Sequence, residues 1–194
     1  MRTKLLLSLT VSALSVASAS LYAQTSTWTI DAAHSSVNFQ VRHMGVSNVH
    51  GSLGGVKGTV NFDEKDLTKS SVEATIDATT ISTGVDARDK DLKSPNFFDV
   101  EKYPTLTFKS TSLTKSGGKL QLIGDLTLHG VTKSVSLDVD GPAAPQTDPK
   151  GKTRSGFSAE GTLHRADFGI GAKFPGTMIG DDVKFSIDVE IDKQ

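Results

Sequence analysis

Five histidines, a serine pair beside one of them and one Arg-x-Asp triplet are the first candidates for chemistry in this 194-residue chain. The histidines are His34, His43, His50, His129 and His164. No two have the close spacing of a helical or hairpin metal site, and there is no Cys to assist them, so no metal and no cofactor is expected. Ser35 and Ser36 follow His34, an order that invites a hydrolase. Neither serine lies in a strand–turn–helix G-x-S-x-G setting, and neighbours in a strand face opposite ways. No catalytic residue is therefore expected, and a lipid-modifying hydrolase using His34 or His43 is the alternative. Arg165 and Asp167 are different. By alternation they extend the row Phe157, Ala159 and Leu163, with Phe168 following. A charge at the end of an apolar wall needs partners, because an isolated buried charge is costly. Either the two pair with each other and pin a strand end, or they form a polar rim for the head group of an amphiphile. Arg88, His34 and His43 are further rim candidates, and guanidinium donors suit a phosphate or a quinone oxygen.

The elements that must position these residues are strands. "DDVKFSIDVEID" sends Val183, Phe185, Ile187, Val189 and Ile191 to one side and the polar residues to the other. "SSVNFQVRH" does the same with Val37, Phe39 and Val41, a face that His43 shares. "SVEATIDAT" aligns Val72, Ala74, Ile76 and Ala78, and "KLQLIGDLTLHG" aligns Leu120, Leu122, Leu126 and Leu128. "KSVSLDVDG", "GFSAEGTLHR", "VKGTVNFDE" and "TLTFKST" repeat the pattern. Turn signals such as "KSGGK", "LHGVTK" and "DEKDLTKS" separate these runs, and the Pro-rich "DGPAAPQTDPKGKTRSG" is expected to be a mobile loop. One wet face and one apolar face in eight or more consecutive strands means antiparallel sheet, as a sandwich or as a closed barrel. Small residues on the inward rows (Ala74, Ala78, Gly124, Ala159 and Gly161) would leave volume unfilled in a barrel, or would let two sheets approach closely in a sandwich.

The amino end addresses location. Arg2 and Lys4 precede "LLLSLTVSALSVAS" and a small-residue stretch ending "LYAQ", the layout of a secretory signal peptide cleaved after Ala23, or secondarily after Ala19. Its apolar run is too short to span a membrane. Removal of residues 1–23 leaves 171 residues, a single domain over 24–194, and takes away two positive charges so that −1 becomes −3. Basic residues scattered through a mildly acidic chain give no electrostatic footprint for nucleic acid. The periplasm fits such a leader best, and without Cys the stability must come from sheet and core. The sequence is compatible with a homodimer.

One segment breaks the strand pattern. "DARDKDLKS" supports two helical turns, with Asp86 placed as N-cap and Pro95 as the stop. Phe97 and Phe98 follow, one ring to plug the barrel mouth and one to pack under the helix. A helix that only seals a core explains the charges as well, with Arg88 paired to a carboxylate such as Asp91.

Four stretches carry a family resemblance: "WTIDAAHSSVNFQVRHMG", "STGVDARDKDLKSPNFFDVEKYPTLTF", "LIGDLTLHGVTKSV" and "LHRADFGIG". Together they make the chain, from about Thr27 to Asp192, resemble the YceI-like lipid/polyisoprenoid-binding family of exported bacterial proteins. Two departures stand out: Asp91 where the family usually has His before the Leu of RD-x-x-L, and Ser52–Leu53 where an aromatic often follows Gly51. The resemblance implies an all-β, extended eight-stranded antiparallel lipocalin-like barrel with a short helix-bearing insert near 86–98. It also implies a long hydrophobic tunnel for an isoprenoid or other long-chain amphiphilic lipid, a prenyl phosphate or a quinone-like molecule. The expected ligand-binding residues are Phe39, Val41, Ala74, Ile76, Leu126 and Gly161, with His43, Arg88, Phe97, Phe98, Arg165 and Phe168 toward the mouth. Such a protein is a periplasmic carrier that performs no chemistry. A structural or stress-response barrel without ligand is the third class.

Overall fold

An extended chain with one apolar side can hide it only by pairing edge to edge and curling. Residues 25–194, which the computed structural model describes, do this in one continuous antiparallel sheet. The expected leader lies outside the described residues. In chain order the elements are β1 (Thr25–Ile30), β2 (Ser36–His43), β3 (Ser47–Leu53), β4 (Lys57–Asp63), β5 (Ser71–Asp77) and helix α1 (Asp86–Lys93). Then come β6 (Thr105–Ser116), β7 (Lys119–Leu128), β8 (Val131–Asp140), the two-residue β9 (Gln146–Thr147), β10 (Thr153–His164) and β11 (Ile179–Lys193).

The ring closes through β11. One of its edges pairs with β10 from Arg154↔Asp192 to His164↔Asp182. Its other edge takes β2 along Ile179–Asp188 and β1 along Ile191–Lys193. β1 and β2 are thus one line interrupted at residues 31–35, and β3 and β4, paired to β2 and β1 respectively, are a second broken line. β9 continues β8 along the same edge of β10, so with each broken line counted once eight lines enclose the barrel, as the resemblance implies. The breaks have local causes. Asp31 turns its carboxylate onto the Ala33 amide (2.9 Å), and Gly55 at φ +64° passes so close to Asp77 that a Cβ there would lie 2.9 Å from the Asp77 Cβ. Only glycine takes both that φ and that approach without strain.

The core follows the alternation. In β7 the buried residues are Leu120, Leu122, Gly124, Leu126 and Leu128, every second position. Trp28, Val60 and Ile191 fill the barrel's base with Phe62 edge-on to the indole at 6.5 Å. The Pro-rich loop makes contacts of its own. Asp148 accepts the Lys150 and Lys152 amides, and Asp192 takes Lys152 at 2.6 Å and Arg154 at 3.1 Å.

The insert forms the expected helix with a different start. Val85 is the N-cap and makes no side-chain cap bond, so Asp86 is the first helical residue and not the cap. Acids in the first turn and lysines in the last suit the helix dipole. Asp89 then reaches back to the Thr83 amide at 2.7 Å and the Ser82 hydroxyl at 3.0 Å, while Arg88 Nε donates to Thr83 Oγ1 at 2.7 Å. Arg88 therefore clasps the chain before its own helix and is not paired with Asp91. Among the described residues no helix is long and apolar enough to cross a membrane.

Candidate functional site

The inward rows enclose a cavity of about 180 Å³ beneath the insert. Of its 29 lining residues, 28 carry hydrocarbon side chains and the other is Arg165. A cavity so lined stays dry, since a water needs two or more polar partners. Its size is modest: a void of roughly 150 Å³ admits a benzene, and pockets for drug-sized ligands run to about 300–1,000 Å³. The closed barrel thus has room for a short run of chain, not for a whole polyprenyl tail.

The expected ligand-binding residues divide sharply. Phe39, Val41, Ala74, Ile76, Leu126, Phe97, Phe98 and Arg165 all line the cavity. Phe97 is buried and stacked on Phe174 at 5.2 Å, and Phe98, whose amide donates to Leu92 O, is half-buried beside it. Four residues do not line the cavity. His43 is exposed, because β2 outruns the barrel and its last residue meets solvent although its parity is inward. Arg88 is occupied at Thr83. Phe168 is 2% exposed but packs in the core outside the lumen. Gly161 faces inward, yet its space is taken by the Phe185 ring. Gly124 is filled likewise by Phe108, and Ala78 sits in a 3-10 turn. The small inward residues therefore leave less room than their size suggests.

Arg165 is the one charge at the wall, and its neighbours overturn both sequence expectations. The strand ends before it, and residues 165–168 form a 3-10 turn, so Asp167 is exposed and, among the described residues, has no ion-pair partner. The guanidinium, 5% exposed, instead donates to five backbone carbonyls. Nε bonds Gly180 O (3.1 Å), Nη1 bonds Ile170 O (2.9 Å) and Gly171 O (2.8 Å), and Nη2 bonds Phe174 O (2.7 Å) and Ile179 O (2.9 Å). A guanidinium has five N–H donors, and all are used. Arg165 has no donor left for a head group; it holds the 170–180 loop as a roof over the cavity.

The serine and histidine candidates have other partners. Ser35 Oγ accepts the Glu190 amide at 3.1 Å, so the hydroxyl is fixed to β11 rather than to an imidazole. Among the described residues no hydroxyl is hydrogen-bonded to a histidine. His129 bonds Phe168 O at 3.0 Å and lies edge-on to Tyr103 at 4.9 Å, tying the β7–β8 turn to the 3-10 turn. Two His–carboxylate groupings lie at the surface, Asp31–His34–Glu190 and His164–Asp181–Asp182. In each the histidine Nδ1 already contacts a carboxylate oxygen, at 2.9 Å and 2.8 Å. The hydrogen bond to Asp31, and then the charges of Asp31 and Glu190, raise the His34 pKa above its ordinary 6.5. A raised folded-state pKa adds stability that is complete below 6.5 and fades as the pH climbs through the folded value. NMR titration should show the His34 midpoint above 6.5 and Asp31→Asn should bring it back; an unshifted wild-type midpoint would refute the pairing in solution.

Comparison with known proteins fits this architecture. A model of the YceI-like domain matches residues 28–191. The chain belongs to the YceI-like family. Protein YceI of Escherichia coli O157:H7 is 43% identical over 137 residues, which are 71% of either chain. The YceI protein of Campylobacter jejuni shares the fold with a TM-score of 0.70 at 28% identity, over 79% of this chain and 90% of its own. A polyisoprenoid binding domain from Saccharophagus degradans, implicated in plant cell wall breakdown, has the same fold at a TM-score of 0.61 and 16% identity, over 86% of this chain and 98% of its own. Of the two departures from the YceI-like pattern, Asp91 is exposed, whereas Leu53 lines the cavity.

Proposed function

We propose that this YceI-like protein is a periplasmic, non-enzymatic carrier that holds the tail of an isoprenoid-type lipid in its barrel. The observation that carries this reading is the cavity walled by 28 hydrocarbon side chains. Burial contributes about 0.8 kcal/mol per methylene, so one five-carbon isoprene unit supplies roughly 4 kcal/mol gross. Two units reach about 8 kcal/mol, the scale of a micromolar complex, before the ordering of the tail is subtracted. The polyisoprenoid-binding domain of the same fold supports the choice of lipid, and the basic, apolar leader at Arg2–Ala23 supports the location. Selectivity for the head group falls to the rim rather than to Arg165, whose donors are spent. Native mass spectrometry of full-length protein expressed with its leader and purified from periplasm without detergent tests this. Extra mass that partitions into hexane as prenyl lipid is expected. Bare mature chain that also refuses added farnesol and geranylgeraniol would overturn the carrier, and turnover of an added ester would favour a hydrolase.

A further inference from the structure

Three inward-facing glycines each lie under a phenyl ring from the adjacent strand. Gly51 of β3 is opposite Phe39 of β2, Gly161 of β10 is opposite Phe185 of β11, and Gly124 of β7 is diagonal to Phe108 of β6. A Cβ built on these glycines would stand 2.3, 2.6 and 2.4 Å from the Cζ of the respective ring. No real methyl tolerates that distance, so each ring tip occupies the place of the missing side chain. All three rings line the cavity, and each glycine interrupts an inward row of larger residues, such as Leu122 and Leu126 around Gly124. An aromatic laid over a glycine of the next strand stabilises a sheet without protruding from it.

We infer that Gly51, Gly124 and Gly161 are specificity-determining positions of the cavity: each stows a phenyl ring against the wall, and the three together set the thickness of apolar chain that fits. This rests on the carrier reading. The free volume is about 180 Å³, and a benzene-sized ring fills a void of roughly 150 Å³. One ring pushed off its glycine has the lumen as its open side and takes up most of that space. The class of ligand follows from the remaining bore: a slender, flexible apolar chain lying along three aromatic faces, and not a fused-ring lipid such as a sterol.

The test pairs a glycine with its ring. Straight-chain alcohols from octanol to hexadecanol, farnesol and cholesterol serve as probes, with binding read by displacement of a fluorescent fatty acid. Wild type is expected to bind the chains and not cholesterol. Gly161→Ala should weaken hexadecanol and farnesol at least tenfold, and Gly161→Ala with Phe185→Leu should return both to within threefold of wild type. A single variant that binds like wild type, or a double variant as weak as the single, overturns the inference while the carrier reading stands. A wild type that takes up none of the chains sinks both. Should Gly161→Ala fail to fold, Phe185→Leu alone decides: the wider bore should gain affinity for cholesterol, and no gain refutes the stowed ring as the limit.

Discussion

Replacing Arg165 by methionine should destabilise the barrel by about 3–5 kcal/mol, the range for removing one side of a buried charged network. The side chain keeps its volume, so the loss is not a cavity effect. Five carbonyls of the 170–180 segment lose their donors at once, and each buried acceptor left unpaired costs roughly 1–3 kcal/mol. Relaxation of the loop toward water recovers part of that sum. At about 2–4 °C per kcal/mol for a domain of this size, calorimetry should find the melting temperature lower by about 10 °C. Arg165→Lys separates charge from geometry. It keeps the positive charge but offers three donors without the planar fork, so it should recover only a fraction of the loss. Full recovery by lysine would mean that charge, not the fork, holds the roof.

The second large effect falls on binding. Ala74 lies on the cavity wall between Gly58 of β4 and Phe108 of β6, and its methyl points into the free space. Ala74→Phe should abolish uptake of farnesol, with a loss of at least a hundredfold, because a benzene-sized ring consumes nearly all of the 180 Å³. The fold should survive with a change of about 1–3 kcal/mol, the usual range for overpacking. Displacement titration and a thermal melt on the same sample check both halves. Retained uptake with an unchanged melt would place the ligand somewhere other than this cavity.

Much of this architecture can be read from alternation alone. β7 and β11 advertise their faces residue by residue, and the wall positions Phe39, Val41, Ala74, Ile76 and Leu126 all follow from parity. Parity misleads where the chain stops being a strand of the barrel. Past Leu163 it enters a 3-10 turn, so Arg165 stays inward but Asp167 faces solvent, and at His43 the strand runs past the rim. β3 shows almost no alternation, because the centre of its inner row is Gly51 and the apolar group filling that place is Phe39 of another strand. Arg88 looks like a free rim cation in the sequence. Its partner Thr83 lies five residues back, a contact set by the fold of the loop and by no helical periodicity. The five carbonyls around Arg165 are equally invisible, since backbone acceptors carry no signature in side-chain types.

The order of the strands also governs how the molecule comes into being. β11 is the last element, and it alone ties the amino-terminal line to β10. Trp28 finds its backbone partner at Lys193, almost the whole described chain away. A polypeptide emerging amino end first therefore keeps an open-edged, greasy trough until the fifteen residues of β11 arrive. Contacts so remote in sequence make for slow assembly, on the millisecond-to-second scale typical of all-β domains. Losing those residues from the carboxyl end should leave not a shortened cylinder but an unsealed sheet prone to stick to its neighbours.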